Sequence, residues 1–265
     1  MSEIDKALDS FLEDDEEDPS NQTDSSPFRS GLIFLVDCTP SMFGLGADSK
    51  ADFGARLAIR CCQVTQQNKA IAAPMDMVGL MFIRTRESST PNLMNIKVIQ
   101  PLAPPDATRI LELENLQQLS PTELETKFGT MINPSGRTFG FCDVLCACQH
   151  MFLSCSKTLG YRHIYLFTDD PDPSNGNLHA KRQAISKMAF LKESGIELEV
   201  LPIKRDGIEF DFELFYQVSG SKFLILRLGN DHYDYDTGRL LIRGNHSRLL
   251  SCLFDIPTVK IIQSQ

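Results

Sequence analysis

Three oxygen-bearing side chains, Asp37, Thr39 and Ser41, alternate directly after the apolar run 31–36. A hard cation takes carboxylate, hydroxyl and water oxygens, and one loop here offers two of those types. A second apolar run, HIYLFT (163–168), ends in Asp169 and Asp170. Acids at two run ends suit either an oxygen-ligand cation site or a carboxylate nucleophile. They also admit a structural reading, in which the hydroxyls cap a following helix and the acids accept from loop amides. Cys142, Cys146 and His150 fall at i, i+4 and i+8. Three groups along one helix face form a stripe and cannot wrap an ion tetrahedrally, so core packing is the expectation there. The eight cysteines include no C-x-x-C pair, which fits free thiols in a reducing compartment.

The elements that must carry these groups follow from the apolar pattern. GLIFLVD (31–37) and MVGLMFI (77–83) are continuous apolar runs, the mark of strands covered on both faces. Further strands are expected at 96–102, 163–168, 197–203 and 223–228. Helical spacing predicts helices over 52–67, 106–119, 121–128, 141–156 and 178–194, with a short one at 210–218. Alternating strands and helices give an α/β fold: a doubly wound, mostly parallel sheet flanked by helices, Rossmann-like in layout. Such sheets bind ligands beyond the carboxyl ends of their strands, where Asp37, Asp169 and Asp170 stand. No G-x-G-x-x-G or P-loop follows any strand.

Composition narrows the classes. Of 26 basic and 35 acidic residues, ten acids and one lysine lie in residues 1–28. The remainder is balanced at 25 of each, without the basic excess of a domain that binds DNA by itself. The first 28 residues read as a disordered acidic tail. With neither a signal-peptide pattern nor an apolar run of about 18 residues, an intracellular, soluble chain with no membrane contact is expected.

The loop at Asp37 resembles the D-x-S-x-S loop of von Willebrand A domains, where it begins a magnesium site. That resemblance implies a von Willebrand A-like fold and a Mg2+ site built from Asp37, Thr39, Ser41, Thr138 and Asp169, in a metal-dependent ligand-binding module. The same strand ends also resemble haloacid-dehalogenase-type phosphotransferases, with Asp37 as nucleophile and Asp169 and Asp170 holding magnesium. That chemistry needs a positioned lysine, and none stands in a convincing loop between Gly136 and His163.

Longer strings carry a more specific resemblance. SGLIFLVDCTPSMF, PPDATRILELENLQ, FCDVLCACQHMF, HIYLFTDDPDPSNGN and SGIELEVLPIKRDGIEFDFELFYQ occur in this order. They resemble the N-terminal α/β domain of the smaller subunit of the Ku heterodimer over about residues 1–220. The resemblance implies a non-enzymatic interaction module with three segments: an acidic tail (1–28), the α/β domain (29–228) and a C-terminal extension (229–265) without the family's β-barrel. It implies a subunit of the DNA double-strand-break complex acting in non-homologous end joining and telomere maintenance. Its implied partners are the larger Ku subunit, end-joining and telomere proteins, and DNA ends through the complex, in the nucleus. Residues 229–265 are too few for a barrel, so the expectation is a chain lacking most of the DNA cradle and the main dimerisation surface. Ku domains generally have a degraded metal site, whereas these five oxygens are nearly complete. Lyase activity linked to lysines near the first strand is not expected, since Lys6 is the only lysine before Asp37.

One further surface is expected on the helix 178–194. Ile185, Met188 and Ala189 pack inward, and Lys181, Arg182, Lys187 and Lys192 form a basic outer face for an acidic partner or flanking DNA.

Overall fold

The computed structural model describes residues 29–44, 54–89, 94–129, 139–204, 210–211, 214–216, 222–223, 225–228 and 259–262. Both expected end segments, the tail 1–28 and most of the extension 229–265, lie outside the described residues, as do Lys6 and Thr138.

The strands are β1 (Ser30–Asp37), β2 (Met77–Ile83), β3 (Ile96–Ala103), β4 (Tyr161–Thr168) and β5 (Ile196–Lys204), followed by the short β6 (Lys222–Phe223), β7 (Ile225–Leu228) and β8 (Val259–Ile262). The helices are α1 (Gly54–Ala72), α2 (Ala107–Gln118), α3 (Pro121–Phe128), α4 (Phe141–Leu153) and α5 (Leu178–Glu193). The sheet order is β3-β2-β1-β4-β5-β7-β8, with β6 beside β5. β1 pairs parallel with β2 and β4, and β4 with β5, while β3 is antiparallel to β2. This is the expected mostly parallel α/β sheet with helices on both faces. The expected strand at 223–228 is two short ones, and β8 extends the sheet antiparallel to β7 from within the C-terminal segment.

Strand periodicity sorts the side chains into two cores. Leu32, Phe34 and Val36 of β1 face a cluster with α1, α2 and α3, to which Leu57, Cys61, Leu113, Leu116 and Leu124 contribute. Ile33 and Leu35 face the opposite cluster, built with α4 and α5 through Val144, Cys148, Met188 and Leu191. Because β1 feeds both cores, it reads as an unbroken apolar run rather than an alternation.

Two expectations are corrected by packing. The expected helix at 210–218 is, among its described residues, a turn at Leu214–Tyr216. Phe215 and Tyr216 are both fully buried there, and both meet the ring of Phe141 edge-on. On α5 the inward positions are Ala184, Met188 and Leu191; Ile185 is half-buried and Ala189 is exposed.

The local signals that set these elements are ordinary. Asp106 caps α2 by accepting from the Arg109 N–H, and Ser120 with Glu123 forms a capping box at α3. Asn177 caps α5 by accepting from the His179 and Ala180 amides.

Candidate functional site at the strand ends

The carboxyl ends of β1, β2 and β4 lie side by side, in register from Asp37 to Ile83 and from Val36 to Phe167. The first residues beyond or at those ends are therefore neighbours: Asp37, Arg84, and Thr168 with Asp169 and Asp170. After β1 the chain turns at once. Thr39 is extended, Pro40 opens a 3-10 helix (Pro40–Phe43), and Gly44, at φ 73°, closes it. A positive φ suits glycine because it has no Cβ to clash. Met42 and Phe43 are buried beneath this turn and anchor it.

The turn aims its hydroxyls at the end of β4. Thr39 Oγ1 donates to Asp169 Oδ1 at 2.8 Å, and Ser41 Oγ donates to Asp169 Oδ2 at 2.5 Å. The two hydroxyl oxygens are 3.2 Å apart. Thr39 makes no side-chain cap to the 3-10 helix; the hydroxyls serve Asp169, while Asp170 Oδ1 accepts from the Asp172 loop amide at 2.9 Å. Four of the five sequence-predicted oxygens, Asp37, Thr39, Ser41 and Asp169, thus stand at the described strand ends.

Asp37 is 1% exposed. Its Oδ2 accepts from Thr168 Oγ1 at 2.7 Å, and the same Thr168 oxygen accepts the Asp170 N–H at 3.0 Å. Its Oδ1 is buried without a hydrogen-bond partner. Burial pushes the Asp37 carboxyl up to about 6, against the pull of Arg84 and the Thr168 hydrogen bond.

The unforeseen residue is Arg84, directly after β2. Its Nε lies 3.7 Å from Asp37 Oδ1, and its Nη2 donates to Asp170 Oδ2. Its guanidinium carbon sits 5.0 Å from the centroid of the Phe139 ring. Burial works against this charge, but Asp37 and Asp170 outweigh burial and hold the guanidinium more firmly protonated than usual. Tyr216 closes the far side, its hydroxyl 3.4 Å from the Asp170 carbonyl; burial, then Asp37 and Asp170, push its phenol well above the usual range.

The described residues do not fit a resident divalent cation. A magnesium ion bonded to Asp37 Oδ1 at about 2.1 Å would lie within about 6 Å of Arg84 Nε. At an effective dielectric near 20, a unit and a double positive charge that close repel by about 5 kcal/mol or more. Among the described residues no cluster of three His, Cys, Asp or Glu is placed to hold a metal ion. The phosphotransferase reading meets a different obstacle: a nucleophile must be reachable, and the Asp37 carboxylate is sealed beneath Thr168 and Arg84.

The expected basic face divides. Arg182 and Lys187 line a groove of about 530 Å3 between α4 and α5, with Cys142, His179, Gln183, Ser186 and Phe190. Lys187 Nζ donates to Gln149 Oε1 at 2.5 Å and lies 5.1 Å from the Phe190 ring centroid. Lys181 turns aside to the Leu214 carbonyl, while Lys192 is exposed and does not line the groove. The Cys142–Cys146–His150 stripe is not core: Cys142 is half-buried at the groove, and Cys146 and His150 are exposed. Among the described residues no helix is long and apolar enough to cross a membrane.

The family model described as Ku70/Ku80 N-terminal alpha/beta domain matches residues 31–221. "ATP-dependent DNA helicase 2 subunit 1" of Rhipicephalus appendiculatus is 30% identical over 197 residues, covering 74% of this chain and 31% of that protein. "X-ray repair cross-complementing protein 6" of Mus musculus is 30% identical over 191 residues, covering 71% of this chain and 30% of that protein. The chain thus spans under a third of the length of these relatives. Among solved structures, the SpRpn10 VWA domain is similar at TM-score 0.46 and 12% identity, over 76% of this chain and 88% of that one.

Proposed function

The chain belongs to the Ku70/Ku80 N-terminal α/β domain family, and we propose on that footing that it is the N-terminal interaction module of a Ku70-type subunit. It pairs with the larger Ku subunit, and the complex binds DNA ends in the nucleus. Its work there is non-homologous end joining and telomere maintenance. The observation that carries this reading is the family match, supported by relatives of the Ku70 type. The domain is a structural and interaction module, not an enzyme; its most enzyme-like carboxylate, Asp37, is buried and engaged. The balanced charge of residues 29–265 supports DNA contact through the assembled complex rather than through this domain alone.

The test is co-expression with the larger Ku subunit, followed by gel-shift on linear and closed circular duplexes. The chain should co-purify with that subunit, and the complex should retard linear DNA while leaving circular DNA free. A chain that neither co-purifies nor shifts linear DNA defeats the reading. A tagged chain excluded from nuclei defeats its cellular half.

The groove between α4 and α5 is the face through which this module meets an acidic segment of an end-joining protein. Arg182 and Lys187 supply positive charge, and Phe190, half-exposed beside them, supplies apolar contact. Binding of a fluorescent Asp/Glu-rich peptide should weaken with salt, because exposed charge pairs are screened. A salt-insensitive or undetectable interaction removes the assignment.

A further inference from the structure

Helix α4 carries two thiols on its outward face. Cys142 and Cys146 stand one turn apart, a spacing that sets their Cβ atoms about 5–6 Å from each other. Both are free; Cys142 is half-buried in the α4–α5 groove and Cys146 is exposed. The Cys142 thiol is hydrogen-bonded to the Cys146 thiol, so the two sulfurs already turn toward each other. Lys187 lies over the same face. It lines the groove with Cys142, and its Nζ donates at 2.5 Å to Oε1 of Gln149, the residue one turn beyond Cys146. Most other described cysteines are of a different kind. Cys38, Cys61, Cys62 and Cys148 are buried, and burial pushes the Cys62 thiol up to about 12. Cys155, half-buried, follows the end of α4.

We propose that Cys142 and Cys146 form a dithiol site for a soft, two-coordinate cation of the Cu+ class. A stripe along one helix cannot wrap a tetrahedral ion, and among the described residues no cluster of three His, Cys, Asp or Glu is placed to hold one. Two-coordination asks only for two sulfurs, on opposite sides of the ion, and thiolates select soft ions, Cu+ among them. Binding exchanges two S–H bonds for two S–Cu bonds and releases both protons to water. The bis-thiolate product carries one net negative charge, and the Lys187 ammonium beside Cys142 offsets it. Burial, then Cys146, hold the Cys142 thiol above its ordinary value, while Lys187 pulls it down. Affinity therefore rises with pH, because the ion must displace the thiol protons.

The probe is Cu+, kept reduced by ascorbate under argon and offered as its violet bicinchoninate complex to the full, reduced chain. The native chain should withdraw about one Cu+ and bleach the colour, more completely at about pH 8 than at about pH 6. Cys142→Ser and Cys146→Ser should each abolish the withdrawal, whereas Cys155→Ser and His150→Ala should keep it. Circular dichroism checks that each variant is folded. A second readout needs no variant. Cu+ should shield Cys142 and Cys146 of the native chain from iodoacetamide, with the alkylated peptides identified by mass. A native chain that leaves the complex coloured overturns the proposal. So does withdrawal that survives in both serine variants, or shielding of a different pair. Loss of withdrawal in a folded His150→Ala chain, or equal shielding by Zn2+, overturns two-coordination by the thiols.

Discussion

Thr168 donates its hydroxyl hydrogen to Asp37 Oδ2 at 2.7 Å while accepting the Asp170 amide hydrogen at 3.0 Å, so one threonine joins the ends of β1 and β4. The carboxylate it steadies is nonetheless uncomfortable. Burial raises Asp37 from 3.8 to about 6 in the folded chain. The folded state therefore holds a proton that the unfolded chain has released between about pH 4 and 6. Stability is greatest below that window and falls as pH rises through it, then levels off. A shift of this size corresponds to about 3 kcal/mol. Urea unfolding from pH 4 to 7 should show the decline in the native chain and its loss in Asp37→Asn. A flat native profile would contradict the buried carboxylate.

The opposite end of β1 holds an acid with the opposite behaviour. Asp76 accepts from the Ser30 amide at 2.8 Å, from Ser30 Oγ at 2.6 Å, and from Lys69. Burial opposes its charge, but these donors outweigh burial and lower its pKa. Its stabilisation is present above the ordinary carboxylate range and is lost as pH falls through the lowered value. Asp76→Ala should cost about 1.5–3 kcal/mol at neutral pH, the range for charged hydrogen bonds, and less in acid. An equal loss at both pH values would show that packing, not charge, is what the variant removes.

Phe34 anchors the core on the α1 side. Its ring lies 5.4 Å from Tyr165 and 6.1 Å from Phe167, and it is fully buried. Phe34→Ala should lower unfolding free energy by about 3–5 kcal/mol, whereas Phe34→Leu should cost markedly less, since cavity size sets the loss. Denaturant midpoints with an unchanged m-value would confirm a two-state loss of packing.

Phe34 also shows what a sequence can reveal. Its run is apolar on every residue because β1 is covered on both faces, and that pattern is local. So are the aspartates ending β1 and following β4. Arg84 is different. Nothing in its neighbours marks it; its role follows from the β1–β2 register, which sets residue 84 beside Asp37, and from a left-handed backbone. The Phe210–Tyr216 region misled for a related reason. Its apolar spacing suits a helix, but adjacent Phe215 and Tyr216 both bury against Phe141, which a turn allows. The Cys142–Cys146–His150 spacing was readable as one face, yet only the packing of α4 on the sheet decides that this face looks outward.

The same packing selects which basic residues on α5 can be changed without harm. Lys181 is committed to the Leu214 carbonyl and Lys187 to Gln149, so reversing either disturbs the fold as well as the surface. Arg182 and Lys192 are exposed. Arg182→Glu, at the groove, should leave stability within about 0.5 kcal/mol, as surface changes usually do. It should weaken an Asp/Glu-rich peptide about tenfold in low salt, with the gap narrowing as salt rises. Lys157→Glu, on the loop after α4, should have no such effect. If the charge reversal leaves peptide affinity unchanged, the groove is a solvated helix face, and partner contact must lie elsewhere on the domain.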